Sequence, residues 1–208
     1  MRIVFLAAGK GTRIYRNIKT PKALIKIKRK CLIERLILNV EKKYRDKITI
    51  VTGFEAKKIF NETKKFKINY LHNIKYNKTE MLHSMYLALK KYDDDILFSY
   101  SDIFYEAKII KKFFFKKQRN IIVPINLNWK NIWLSRKKNI FEDAETLRTK
   151  KGNIVEIGNK IINLKEVEGQ YMGIFFIPKK YRIKIINVIQ KNNFKKKQIT
   201  YFINYLIK

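Results

Sequence analysis

The sequence predicts an α/β fold with a mainly parallel central sheet and a β-hairpin inserted in its second half. Two observations carry this. Short apolar runs alternate along the chain with longer amphipathic segments, the pattern of strands covered by crossover helices. In the stretch TLRTKKGNIVEIG, two strand-like runs instead flank Lys151-Gly152-Asn153, which marks a tight hairpin turn.

Taken in order, Ile3–Ala7 is an unbroken apolar run that stops sharply at a loop, so it reads as a buried strand. A helix is expected over Leu32–Lys43, a strand over Ile48–Thr52 and a helix over Glu55–Thr63. Strand Ile68–Leu71, helix Leu82–Lys91, strand Ile96–Tyr100 and helix Ala107–Lys116 continue the alternation. Ile121–Ile125 and Met172–Ile177 are strand candidates, and helices over Arg182–Gln190 and Ile199–Ile207 close the chain. With neither an internal repeat nor a linker, residues 1–208 read as one domain.

At 46% apolar residues the chain is too hydrophobic to be disordered. Its single cysteine, Cys31, excludes an internal disulfide framework and reads as a small buried hydrophobe in a reducing compartment. The N-terminal apolar stretch is too short for a signal sequence, and no stretch approaches the length of a membrane span. A cytoplasmic, soluble protein is the expectation, with no membrane partner. The formal charge of +31 suggests a polyanion, but 38 Lys against 10 Arg, scattered along the chain, fit biased composition better than a dedicated nucleic-acid surface. Residues 169–208 contain no acid, so weak, non-specific polyanion binding is expected.

In open α/β sheets, ligands sit beyond the carboxyl ends of the strands. Three polar features fall at such ends: the Gly9–Arg13 loop, Thr52-Gly53 and Ser101-Asp102. Gly9 and Gly11 let backbone N–H groups approach a ligand closely, and Lys10, Arg13 and Lys22 add positive charge, so the first loop reads as an anion cradle. Asp93-Asp94-Asp95 precedes its strand and reads as a solvated turn at the opposite edge. His83 reads as structural.

Leu6-Ala7-Ala8-Gly9-x-Gly11-Thr12-Arg13, followed by Pro21-Lys22-x-Leu24, resembles the signature of the nucleotidyltransferases that activate sugar phosphates and phosphocholine. That resemblance implies a Rossmann-like three-layer sandwich with a mainly parallel, mixed central sheet. It implies that Leu6, Ala7, Ala8, Gly9, Gly11 and Thr12 wrap the nucleoside triphosphate. Arg13 would neutralise the departing pyrophosphate, and Lys22 would meet the phosphates in the transition state. Asp102 would coordinate Mg²⁺ beside Ser101, while Thr79 and Ser84 would lie beside the base or ribose. Thr79 as an ordinary helix cap is the competing reading.

Further along, Trp129, Trp133, Arg136, Asp143-Ala144-Glu145, Ile157-Gly158 and Glu168-Gly169-Gln170-Tyr171-Met172-Gly173 look like the short cytidylyltransferases. These use CTP on phosphocholine, 2-aminoethylphosphonate or phosphoglutamine. Trp129, Asp143, Glu145, Glu168, Gln170 and Tyr171 are then candidates for the acceptor, an amine-bearing phosphate or phosphonate. Trp129 and Trp133, four apart, could equally pack together. The family's late strand and Trp…Glu-x-Asp segment, which supplies a second metal-binding carboxylate, is missing. The chain is incomplete, or Asp143, Glu145 or Glu168 substitutes, or the protein is impaired; the sequence leaves these open, as it does a homodimer. A sugar-1-phosphate nucleotidyltransferase is the runner-up, and an inactive or polyanion-binding relative is the reading from another class.

Overall fold

The computed structural model describes residues 1–11, 20–115, 117–135, 144–192 and 194–208. The chain forms two compact units, Met1–Ile122 with Gly173–Lys196, and Val123–Met172 with Lys197–Lys208.

The first unit is built on a five-stranded sheet of order β11-β6-β1-β4-β5. These are β1 (Arg2–Ala7), β4 (Ile48–Thr52), β5 (Asn69–His72), β6 (Ile96–Tyr100) and β11 (Ile174–Ile177). A small antiparallel ribbon, β2 (Lys26–Ile27) with β3 (Lys30–Cys31), precedes β4. β1 is central and parallel to both β4 and β6, with Ala7 level with Thr52 and Leu6 level with Tyr100. Ile3, Val4 and Phe5 are fully buried, as in a parallel strand covered on both faces. Each such side chain contributes about 1.5–3 kcal/mol.

β11 runs antiparallel to β6, which makes the sheet mixed as expected. The strand expected at Ile121–Ile125 is broken: Ile122 bridges to Phe176 in both directions, and then Pro124, which has no N–H to donate, interrupts the ladder. The Met172–Ile177 strand starts only at Ile174, because Gly173 sits at φ +73 against the Tyr100 ring.

Helices Ala56–Thr63, Met81–Lys91, Ala107–Phe115 and Arg182–Lys191 lie where the periodicity puts them. In Met81–Lys91 the buried Leu82, Met85, Ala88 and Leu89 fall on one stripe, which packs against β1 and helix Arg182–Lys191. The helix expected over Leu32–Lys43 ends at Leu38. There Val40 turns into the core, and the Asn39 amide donates to the Tyr105 carbonyl at 2.6 Å, tying the helix end down.

The aspartate triplet lies in an exposed turn, as expected, and forms surface ion pairs there. Asp93 pairs with Lys179 and Arg182, Asp94 pairs with Arg2, and the Asp95 carboxylate accepts the Lys179 backbone N–H. These acids gather basic groups from β1 and from the chain after β11 at the amino edge of the sheet. At that exposure each pair contributes little.

In the second unit, β8 (Glu145–Lys150) and β9 (Asn153–Lys160) form the expected hairpin, with Lys151 and Gly152 both left-handed at its turn. β7 (Ile125–Asn126) pairs antiparallel with β10 (Gln170–Tyr171). A short helix, Trp129–Leu134, was not legible from the sequence. Its two tryptophans join Ala144, Ile161 and Val167 in a core cluster. Helix Ile199–Ile207 packs on β9 at Gly158, where an added Cβ would come within 3.1 Å of the Thr200 backbone. Among the described residues, no helix is long and apolar enough to cross a membrane.

Candidate active site

After β1 the chain goes to β4 and β5 on one side of β1, then to β6 on the other. That reversal is a topological switch point, where the loops leaving the carboxyl ends of β1 and β6 diverge and leave a crevice. The glycine loop leaves β1, and Ser101-Asp102 leaves β6.

Leu6, Ala7 and Ala8 are buried, so they offer a ligand only backbone. Two of their carbonyls fix the loop. Leu6 accepts the Ser101 hydroxyl at 2.8 Å, and Ala8 accepts the Phe54 N–H at 3.0 Å. Ser101, expected beside the nucleotide, donates its hydroxyl hydrogen to Leu6 and so ties the end of β6 to the start of the loop. Gly53 closes the floor, because a Cβ there would lie 2.7 Å from the Ala8 oxygen. Gly9 faces open space. Thr12 and Arg13 lie outside the described residues.

Pro21 caps a single 3₁₀ turn, Lys22–Leu24, that anchors Ala23 in the core and presents Lys22. The Lys22 ammonium reaches 3.4 Å from an Asp102 carboxylate oxygen, with both side chains partly exposed. Its stem crosses Gly11, at φ +62, where an added Cβ would meet Lys22 Cε at 2.8 Å and Cγ at 2.9 Å. The structure thus brings together Gly11, Lys22 and Asp102 from separate parts of the sequence. The Asp102 carboxylate offers the kind of oxygen donor a hard divalent ion prefers, and Lys22 is its counter-ion here.

Thr79 and Ser84, the candidates for the base, both accept hydrogen bonds from Asn73, a residue the sequence reading missed. A loop asparagine carries no motif, so no sequence signal could have found it. His83 is buried in the adjacent helix and stacked on Tyr86, consistent with a structural role.

Among the described residues, one group of three potential metal ligands occurs elsewhere: Cys31, Glu34 and Glu62. It fits no cation. Lys65 already bonds Glu34 at 2.5 Å, and Glu34 also accepts the Cys31 N–H in a capping box. Burial raises the Glu34 carboxyl, but these bonds outweigh it and hold the group below its ordinary value. Burial pushes the Cys31 thiol up to about 12, so it stays protonated.

In the second unit, Trp129 is 2% exposed and packed in the core, with the Lys130 ammonium 5.8 Å from its ring centroid. Trp133 is also core, and its indole N–H donates to Gln170 Oε1 at 2.6 Å, orienting that amide. Glu145 is half-buried beside Thr200, and burial raises its carboxyl above the ordinary range. Glu168 is exposed and held low by the Thr149 hydroxyl and N–H, both on Oε2. Tyr171 is half-buried, and Asp143 and Arg136 lie outside the described residues.

Residues 3–163 match the MobA-like NTP transferase domain family. A CTP:phosphoglutamine cytidylyltransferase from Campylobacter jejuni is 31% identical, the alignment covering 100% of this chain and 88% of that protein. The structure of a CTP:phosphocholine cytidylyltransferase from Streptococcus pneumoniae superposes with a TM-score of 0.63 at 20% identity, over 94% of this chain and 80% of the other. A UDP-glucose pyrophosphorylase superposes with 0.69 at 16% identity, over 99% and 86%. The latter two share the Rossmann-like fold, which does not by itself choose a base. The family match spans most of the chain, and the Campylobacter relative spans all of it: the chain belongs to the MobA-like NTP transferase domain family and is a nucleotidyltransferase.

Proposed function

We propose that the protein is a cytidylyltransferase, transferring CMP from CTP to a small acceptor that carries a phosphate or phosphonate, with release of pyrophosphate. The observation that carries nucleotidyl transfer is the Lys22–Asp102 pair across Gly11, at the carboxyl edge beside the glycine loop. CTP as donor is supported by the full-length Campylobacter relative.

An acceptor oxygen attacks the α-phosphorus, forming the new P–O bond while the bond to the β-phosphate oxygen breaks. A phosphate monoester has a second pKa of about 6 and is largely dianionic at neutral pH, so no general base is required. What the chain supplies is position and charge. The open backbone at Gly9, beside Gly11 with the Lys22 stem over it, cradles the triphosphate. Lys22 meets the phosphates as a compact point charge, and Arg13 is assigned to the departing pyrophosphate. Asp102 would hold Mg²⁺, a hard cation that offsets the repulsion between the phosphates. Glu145, Gln170 and Tyr171, with Asp143, are assigned to the acceptor. The excess of lysine reflects composition, and any nucleic-acid binding is sequence-independent and salt-sensitive.

The test is pyrophosphate release with each of four NTPs against phosphocholine, 2-aminoethylphosphonate, phosphoglutamine and two sugar 1-phosphates. Turnover confined to CTP and an amine-bearing acceptor is expected. Turnover with UTP and a sugar 1-phosphate would contradict the proposal.

A further inference from the structure

Asn73 follows β5 and is 1% exposed. All its hydrogen-bonding groups have partners. Its amide donates to Thr79 Oγ1 at 3.3 Å and to Ser84 Oγ at 3.1 Å, while its Oδ1 accepts the Lys75 N–H at 3.0 Å. A backbone N–H can only donate, which fixes the oxygen end of the side-chain amide. The Asn73 backbone N–H donates to the Thr52 carbonyl at 2.8 Å, and its carbonyl accepts from Tyr76 at 3.2 Å. Thr79 in turn donates its hydroxyl hydrogen to the Lys75 carbonyl at 2.8 Å. The side chain thus joins the turn over residues 73–79 to the first turn of helix Met81–Lys91, while the backbone N–H of the same residue ties the turn to the end of β4.

The same turn packs against Gly53, and Gly53 in turn packs against Ala8 at the start of the glycine loop. A Cβ at Gly53 would lie 2.6 Å from Tyr76 Cβ on one side and 2.7 Å from the Ala8 oxygen on the other. Moving the turn would therefore move the wall against which the start of the cradle is built. Thr79's hydrogen is committed within the turn and Ser84 is buried, so both act first as acceptors for Asn73.

We infer that Asn73 is a positioning residue for nucleotide binding: without touching the nucleotide, it sets the 74–79 turn against the loop that receives the triphosphate. The inference rests on the reading of that loop as a nucleotide cradle. Because the turn is formed before substrate arrives, losing its anchor weakens ground-state binding and leaves the bond-breaking step alone.

The experiment measures CTP affinity by calorimetry with Mg²⁺ present, and steady-state kinetics, for wild type, Asn73→Ala, Asn73→Asp, Thr79→Val and Asn73→Ala/Thr79→Val. Losing hydrogen bonds of this kind should raise Kd and KM for CTP by about tenfold or more in Asn73→Ala, with kcat within about threefold. KM for the acceptor should not change. Asn73→Asp keeps the Lys75 acceptor, and Ser84 can turn its hydrogen toward it, so its loss should be smaller. The double variant should lose less than the sum of the two single losses, because the Asn73–Thr79 bond is common to both, while Thr79→Val also removes its bond to the Lys75 carbonyl. A folded Asn73→Ala with unchanged Kd for CTP, or one losing kcat at unchanged KM, would overturn the inference. If Asn73→Ala does not fold, Thr79→Val decides: a raised Kd supports the link and an unchanged one overturns it. Wild type that binds CTP while the variants bind equally well sinks this inference alone; wild type that binds no NTP sinks the underlying reading and this with it.

Discussion

The Lys22 ammonium lies 3.4 Å from the Asp102 carboxylate, although one follows β1 and the other follows β6. Removing the lysine should cost kcat/KM about a hundredfold or more, the usual loss for one charge-stabilising contact in a transition state. Lys22→Arg should restore only part of this, because a planar guanidinium is a poor substitute for a point charge threaded over Gly11. Steady-state kinetics on Lys22→Ala and Lys22→Arg check it; full activity of the arginine variant would show that bulk charge suffices.

Gly11→Ala should act on the same pair from the other side. The added methyl forces a left-handed conformation on alanine, at a cost of about 1–2 kcal/mol. It would also lie 2.8–3.2 Å from three carbons of Lys22, a flexible chain that can move away. The expected outcome is a folded protein, with a modest drop in Tm and a large drop in activity. Activity at the wild-type level in thermal-shift-verified protein would contradict it.

Asp102→Asn removes the anionic oxygen that a hard cation prefers. Rates measured across a Mg²⁺ titration should then show no activation at concentrations that saturate wild type. Ser101→Ala, which only loosens the tie to Leu6, should retain the Mg²⁺ response at reduced rate.

Cys31 should be unreactive in the folded protein. Burial, reinforced by the neighbouring Glu34 carboxylate, raises its thiol to about 12 from an ordinary 9.0. The folded chain keeps that proton where the unfolded chain releases it, so the associated stability is complete below pH 9.0 and is lost as pH climbs toward 12. Thiol titration in native buffer should give no fast phase until denaturant is added. Cys31→Ala should also flatten the alkaline fall in Tm relative to wild type; an identical slope in the two proteins would disprove the linkage.

The parallel strands were legible because each is a continuous apolar run ending at a polar loop. β4 and β6 start and stop at the expected residues. What failed depends on tertiary partners. Pro124 interrupts an otherwise strand-like run, and the early end of helix Leu32–Leu38 depends on Asn39 meeting Tyr105. Helix Trp129–Leu134 is too short to show a period. In the site, the glycine loop, Lys22 and Asp102 were readable from type and position. Asn73, the tether role of Ser101 and the burial of Trp129 were not, because each is defined by what lies opposite it in space.

The most direct measurement follows a label in the α-phosphate of CTP through the reaction with an amine-bearing phosphate or phosphonate. The expected result is label in the acceptor product in step with unlabelled pyrophosphate, dependent on Mg²⁺ and lost in Asp102→Asn. Label found only in free CMP or CDP, or left in CTP while another NTP is consumed, would contradict cytidylyl transfer.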